Sequence, residues 1–305
     1  MRNRLIAVAC CIGFLASCAT SDSEASVATI LTETPISIPT GILAAMPIQN
    51  RLDVAKGIFQ VQLVNGTSEL VDVAAVQFVW DGLTTPISYR ANRLDAGTRI
   101  DYPVTLSPAN CSGDGTQATM PDPQSAIVRV TTRDGQIIDV PVYDVKHFAR
   151  KLYLDDCERQ YINTQVDIQF ADLHEVTLEG RPVTEGVLRL TRRQSSDTII
   201  VKFISNTINF TFVPLGEDQG SVATLPADQE MVVVSIRFIE GRCDAHALSE
   251  SSQPFKFYAV LDLGDGIERS LATLPAIVDQ APMRHRVETT CEILGKNGFV
   301  GEQSP

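Results

Sequence analysis

Apolar residues recur at or near every second position in short runs along this chain, as at Phe59, Val61 and Leu63, at Ile127, Val128 and Val130, from Ile199 to Phe203, and at Ile208, Phe210 and Phe212. β-Branched and aromatic residues fill most of these positions, which suits strands with one buried face. Asn65-Gly66, Asp134-Gly135 and Asp265-Gly266 separate runs at hairpin spacing. A strongly apolar strand, Val71 to Trp80, ends at Asp81-Gly82, where the lone tryptophan is expected to plug a core beneath a turn. Helical signal is thin. Tyr143 to Asp155 predicts a short helix around His147 to Leu154, and Asp279 to Thr290 predicts another. Short strands at this spacing predict antiparallel β-sandwiches.

The N-terminus has a different pattern. Arg2 and Arg4 precede an apolar run from Leu5 to Leu15, which ends in Leu15-Ala16-Ser17-Cys18. A basic segment, an apolar segment and small residues before a cut form a secretory signal. The last four residues resemble the lipobox of bacterial lipoproteins. The resemblance implies removal of residues 1–17 and acylation of Cys18. At about 0.8 kcal/mol per buried methylene, two or three acyl chains anchor a protein firmly. Residues 18–48, rich in Ser, Thr, Ala and Pro, are expected to be the lipidated cysteine and a flexible tether, with Ile38 and Ile42 hinting at a strand near its end.

Without Cys10, Cys11 and Cys18, four cysteines remain, an even number that suits disulfides in an oxidising compartment. Cys111 to Cys157 and Cys243 to Cys291 span 46 and 48 positions. The segment Arg93 to Leu106 resembles Leu225 to Phe238, and Gly57 to Gly66 resembles Gly186 to Ser195, at offsets of 132 and 129. This is a tandem duplication, which selects Cys111–Cys157 and Cys243–Cys291 from the three possible pairings. The expected architecture is therefore all-β, with two tandem immunoglobulin-like antiparallel β-sandwich domains, each holding one disulfide. The first is expected at 49–158 and the second at 159–295, with 159–185 holding a connection and a leading strand, Gln165 to Phe170. A tail follows at 296–305.

Charge narrows the partners. The chain carries −12 at neutral pH, and removing Arg2 and Arg4 with the signal takes this to −14. Such a surface disfavours nucleic acid.

Few residues suggest chemistry. Cys243-Asp-Ala-His-Ala-Leu-Ser-Glu250 is the sharpest local pattern. It resembles a Cys-Asp-x-His-Ala-x-x-Glu stretch of uncharacterised secreted proteins and lipoproteins of actinobacteria, over roughly Ile236 to Pro275. The resemblance implies location rather than activity, and Ser251-Ser-Gln-Pro254 departs from the usual continuation. Asp244, His246 and Glu250 are candidate metal ligands by residue type, and His246 a candidate proton sensor. The competing reading gives them structural roles, with Asp244 capping a turn. The other histidines, His147, His174 and His285, are scattered. Gly113-Asp-Gly115 and Asp262-Leu-Gly-Asp-Gly266 read as turns, and Asp155-Asp156 as a solvated turn or cap. No serine-hydrolase elbow, zincin pair or phosphate-binding loop occurs, and no cofactor is implied.

The sequence thus reads as a membrane-anchored extracytoplasmic lipoprotein, in the outer leaflet of the plasma membrane if the cell has a single membrane. Its expected role is a non-enzymatic binding or assembly module of the cell envelope, with the membrane and an envelope protein or polymer as partners. The alternative is a metal- or proton-responsive binding protein using the Asp244–His246–Glu250 loop.

Overall fold

The computed structural model describes residues 40–111, 120–216, 220–244, 246–247 and 251–296. Cys18, the signal, most of the tether, Gly113 to Gly115, Glu250 and the tail beyond 296 lie outside the described residues.

The alternating segments become strands as the period of two requires. The first half forms β1 (Leu43–Ile48), β2 (Ile58–Asn65), β3 (Val71–Val79), β4 (Ser88–Leu94), β5 (Arg99–Thr105), β6 (Ile127–Thr132) and β7 (Ile137–Pro141). One sheet has the order β1-β2-β5 and the other β4-β3-β6-β7, each neighbouring pair of strands antiparallel, and an isolated parallel bridge links Ala45 to Val142. Strands one, two and five thus face strands three, four, six and seven, the arrangement of an immunoglobulin-like sandwich. Phe59 meets Phe78 edge-on at 5.5 Å, and Trp80, 2% exposed, meets Tyr153 at 5.5 Å. The indole N–H donates to the carbonyl of Asp122 at 3.0 Å, so burying the ring leaves no orphan donor. A short helix α1 (Arg51–Lys56) joins β1 to β2.

The second half repeats this plan with β8 (Val166–Leu178), β9 (Arg181–Arg192), β10 (Ile199–Ile204), β11 (Phe210–Pro214), β12 (Ala223–Leu225), β13 (Met231–Glu240), β14 (Phe257–Asp262) and β15 (Glu268–Thr273). Its sheets have the orders β11-β13-β9-β8 and β12-β10-β14-β15. Phe170, Phe238 and Phe257 pack at mutual centroid distances of 5.0–5.5 Å in its core. The chain is therefore all-β in its sheets, two tandem immunoglobulin-like sandwiches, each with one disulfide: Cys111–Cys157 and Cys243–Cys291. The copies differ in their connections: β8 turns directly into β9, with no counterpart of α1 between them. From β10 the chain crosses to the opposite sheet as β11 and returns as β12 before entering β13.

Two helices exceed the sequence expectation. α2 runs Phe148–Gln165 and α3 runs Ile277–Lys296, so each contains the second cysteine of its pair rather than preceding it. In the sequence, Asp155-Asp156 suggests a turn that would end α2 there. In the helix both acids are satisfied: Asp155 pairs with Lys151 one turn earlier, and Asp156 binds Arg159 and the backbone N–H of Ala109. Asp144 caps the start, its two oxygens accepting from the N–H groups of Phe148 at 2.6 Å and Ala149 at 2.7 Å. The segment expected to begin a connection at 159 is thus helical, and α2 passes directly into β8. Ala149, Tyr153 and Cys157 point into the first core, while Ile162 is fully buried in the second. At the N-terminal end, residues 43–48, expected within the tether, form β1.

Candidate binding cleft

A cleft of about 440 Å³ opens where α1 of the first sandwich approaches the 206–208 and 251–256 segments of the second. Arg51 and Val54 line it from α1. This helix is fixed locally: Asp53 accepts from the N–H of Asn50 and from Gln60, both at 3.0 Å, and Gly57 closes the helix in the left-handed region.

The opposite wall grows out of the protection of a sheet edge. β11 ends its sheet, and the N–H groups of Phe210 and Phe212 are taken up by Thr207 Oγ1 at 3.0 Å and Asn206 Oδ1 at 2.9 Å. Pro214 has no N–H to offer. Side chains thereby occupy the groups an incoming strand would need, and the same loop carries Ile208 into the cleft. Ser251 to Gln253 complete the wall with Lys256, whose N–H donates to the carbonyl of Gln253 at 3.3 Å. The Lys256 ammonium lies 5.4 Å from the ring centroid of Tyr258, 41% exposed at the head of β14. Tyr258 in turn exchanges hydrogen bonds with Ser205, at 2.9 Å each.

The residues singled out by sequence are not gathered here. Asp244 is committed to its own loop: it accepts from the N–H of Ala247 at 2.9 Å and pairs with Arg242 at 2.9 Å. The Ala247 bond, reinforced by Arg242, holds its carboxyl below the usual carboxylate range. It caps a turn, the structural role the sequence offered. His246 is exposed, and Glu250 lies outside the described residues. Among the described residues no three His, Cys, Asp or Glu side chains converge as a metal site. His147, His174 and His285 are exposed on separate elements. The Asp262 to Gly266 segment is a turn: Asp262 Oδ1 accepts from Gly264 and Gly266. Asp265 is bidentate with the buried Arg269, at 2.6 and 2.8 Å, and that guanidinium holds the carboxyl at about 2. Arg269 also lies 5.3 Å over the ring of Tyr161 on α2, tying the shared helix to the second sandwich.

Sequence reasoning missed the cleft entirely. Its lining residues are distant in sequence and belong to no motif, so no local pattern signals it.

The fold is that of two tandem immunoglobulin-like domains, each closed by its own disulfide. No family model and no curated sequence matches the chain. Among solved structures it is similar to a protein of unknown function from Porphyromonas gingivalis W83, at 10% identity over 77% of this chain and 96% of that one, with a TM-score of 0.20. It is also similar to the D0-D1 domain of intimin, at 8% identity over 76% and 96% with a TM-score of 0.19. A third similarity is to the BSP domain of a biofilm-associated protein, at 8% identity over 79% and 61% with a TM-score of 0.18. Similarities of this size carry no inference about ligands. No described helix is long and apolar enough to cross a membrane.

Proposed function

We propose that the chain is an extracytoplasmic lipoprotein, held to the membrane by acyl chains on Cys18, whose two sandwiches form a binding or assembly module of the cell envelope. The observation that carries the reading is the pair of disulfides, one closing each sandwich, because such bonds persist in oxidising compartments. The Leu15-Ala16-Ser17-Cys18 segment adds the anchor. Asp244, the acid the sequence offered as a metal ligand, is occupied in holding a turn, as Asp156 and Asp265 are in holding a helix contact and a turn. Sandwiches present loops and edges for recognition, and function lies in those sites rather than in the fold.

Two measurements test this. Cells expressing the chain are fed a radiolabelled fatty acid; incorporation that Cys18→Ala abolishes, together with release from the membrane fraction, supports the anchor. Crosslinking in intact cells followed by mass spectrometry should capture a reproducible envelope component. Recovery of unlabelled chain in the cytoplasm with reduced cysteines would overturn the reading.

A further inference from the structure

We infer that the groove between β1 and β7 of the first sandwich is a docking site for an extended segment of a partner protein in which apolar residues alternate with lysine or arginine. This rests on the reading of the chain as a binding module and names the chemistry of its partner.

The edge of β7 is open. Thr132 donates its N–H to the carbonyl of Gln136 at 2.9 Å, which fixes the phase of the β6–β7 ladder. Residues 136, 138 and 140 therefore turn their backbone groups to β6, and Ile137 and Asp139 turn theirs away from it. β7 ends its sheet, and no described residue takes up the outward N–H groups of Ile137 and Asp139. A charged side chain or a proline commonly guards such an edge. Here Asp139 is drawn back to Arg129 of β6, at 2.8 and 3.0 Å, and Pro141 blocks only the last position. The edge of β11 differs, since Thr207 and Asn206 occupy its N–H groups.

Beside this edge the two sheets part. β1 meets β7 at the single parallel bridge of Ala45 and Val142, where the N–H of Tyr143 donates to the carbonyl of Ala45 at 2.8 Å. Before that bridge the chain follows β2 instead, with Gly41 donating to the carbonyl of Gly66 at 2.7 Å. A groove of about 840 Å³ opens between the diverging strands. Leu43, Val71 and Ile138 line it, and each packs on the first core while staying partly exposed. A strand laid along β7 would set alternate side chains against them, because its own period is two.

Charge selects the residues in between. Glu69 and Asp134 line the groove and pair with no cation among the described residues. Arg133, the one cation among the described lining residues, is held by Asp72 at 3.0 Å. A cationic strand is matched by this rim and an anionic one is repelled.

Isothermal titration of the full chain tests this with three octapeptides, alternating lysine with valine, glutamate with valine, and lysine with serine. The lysine–valine peptide is expected to bind most tightly and to slow amide exchange at Ile137 and Asp139. Ile137→Pro removes one outward N–H without touching the β6 ladder and should weaken that binding about tenfold. Glu69→Gln combined with Asp134→Asn should weaken it too, as should raised salt. These two substitutions lie in loops, so they keep the test open if Ile137→Pro fails to fold, which its melting temperature reveals. No binding of the lysine–valine peptide, equal binding of either other peptide, or unchanged exchange at Ile137 and Asp139 would overturn the proposal. So would a dimer of the unliganded chain that protects the same two amides, which would give the edge to a second copy. Such a failure leaves the module reading to be judged by crosslinking and lipid labelling, which do not depend on β7.

Discussion

Asp156 Oδ2 accepts a hydrogen bond of 2.7 Å from the backbone N–H of Ala109, two residues before Cys111, while its neighbour Cys157 forms the disulfide to that same Cys111. Gln160 closes the contact from the next turn of α2, donating to Asp156 at 2.8 Å and to the carbonyl of Ala109 at 3.1 Å. The covalent bond and the carboxylate clamp therefore fix one junction together.

Burial works against the Asp156 charge, but the Ala109 N–H, then Arg159 and Gln160, outweigh it and hold the carboxyl below its usual range. A depressed carboxylate pKa adds stability that is present above the unfolded value near 4 and is lost as pH falls through the folded value. Asp156→Ala is expected to cost about 1–3 kcal/mol at neutral pH. The gap from the unsubstituted protein should narrow steadily in acid, below about pH 4. Urea unfolding at pH 7 and pH 3 checks both the size and the sign.

Each disulfide closes a loop of 46 or 48 positions, worth about 4 kcal/mol on the chain-entropy view. The first bond joins the buried Cys157 to a partly exposed Cys111, whereas both Cys243 and Cys291 are partly exposed. Mild reductant should therefore open Cys243–Cys291 first. Timed alkylation and peptide mass spectrometry give the order, and simultaneous opening would contradict it.

Ile162 lies on the helix that also gives Tyr153 and Cys157 to the first core, yet it is buried in the second. Ile162→Ala is expected to cost about 2–5 kcal/mol. Because α2 belongs to both cores, calorimetry should record a single unfolding transition for the pair, shifted downward in the variant, rather than two separated ones.

Gly186 faces the bulge in β8, where Asp172 adopts φ +54°. A Cβ at 186 would lie 2.7 Å from the carbonyl oxygen of Ala171 and 2.5 Å from Leu173 Cδ2. Since backbone cannot give way as a flexible side chain can, Gly186→Ala should destabilise the second sandwich by about 1–3 kcal/mol. A melting temperature equal to that of the unsubstituted protein would refute this account of the bulge.

Much of the duplication is legible in the sequence. The Gly57 and Gly186 segments fall on the second strand of each sandwich, β2 and β9, and the Arg93 and Leu225 segments lead into the fifth-strand equivalents, β5 and β13. Trp80 fills the core beneath its turn, where a Cβ on Gly82 would meet the indole at 2.7 Å. The rest lies where two segments satisfy one another. The pair Asp155-Asp156 marks a turn only until Ala109 supplies the missing donor, and no sequence window holds both.

The sequence by itself determined the elements whose cause is local: strands from the alternation of apolar residues, hairpins from Asn-Gly and Asp-Gly, and cysteine partners from a repeat that preserves spacing. Tertiary structure alone decided the length of α2, its division between two cores and the gathering of Arg51 and Lys256 around one cleft. The physical reason is that a period of two is set by each strand's own burial. A clamp such as Asp156 to Ala109, 47 positions apart, exists only after loop closure has brought its partners together.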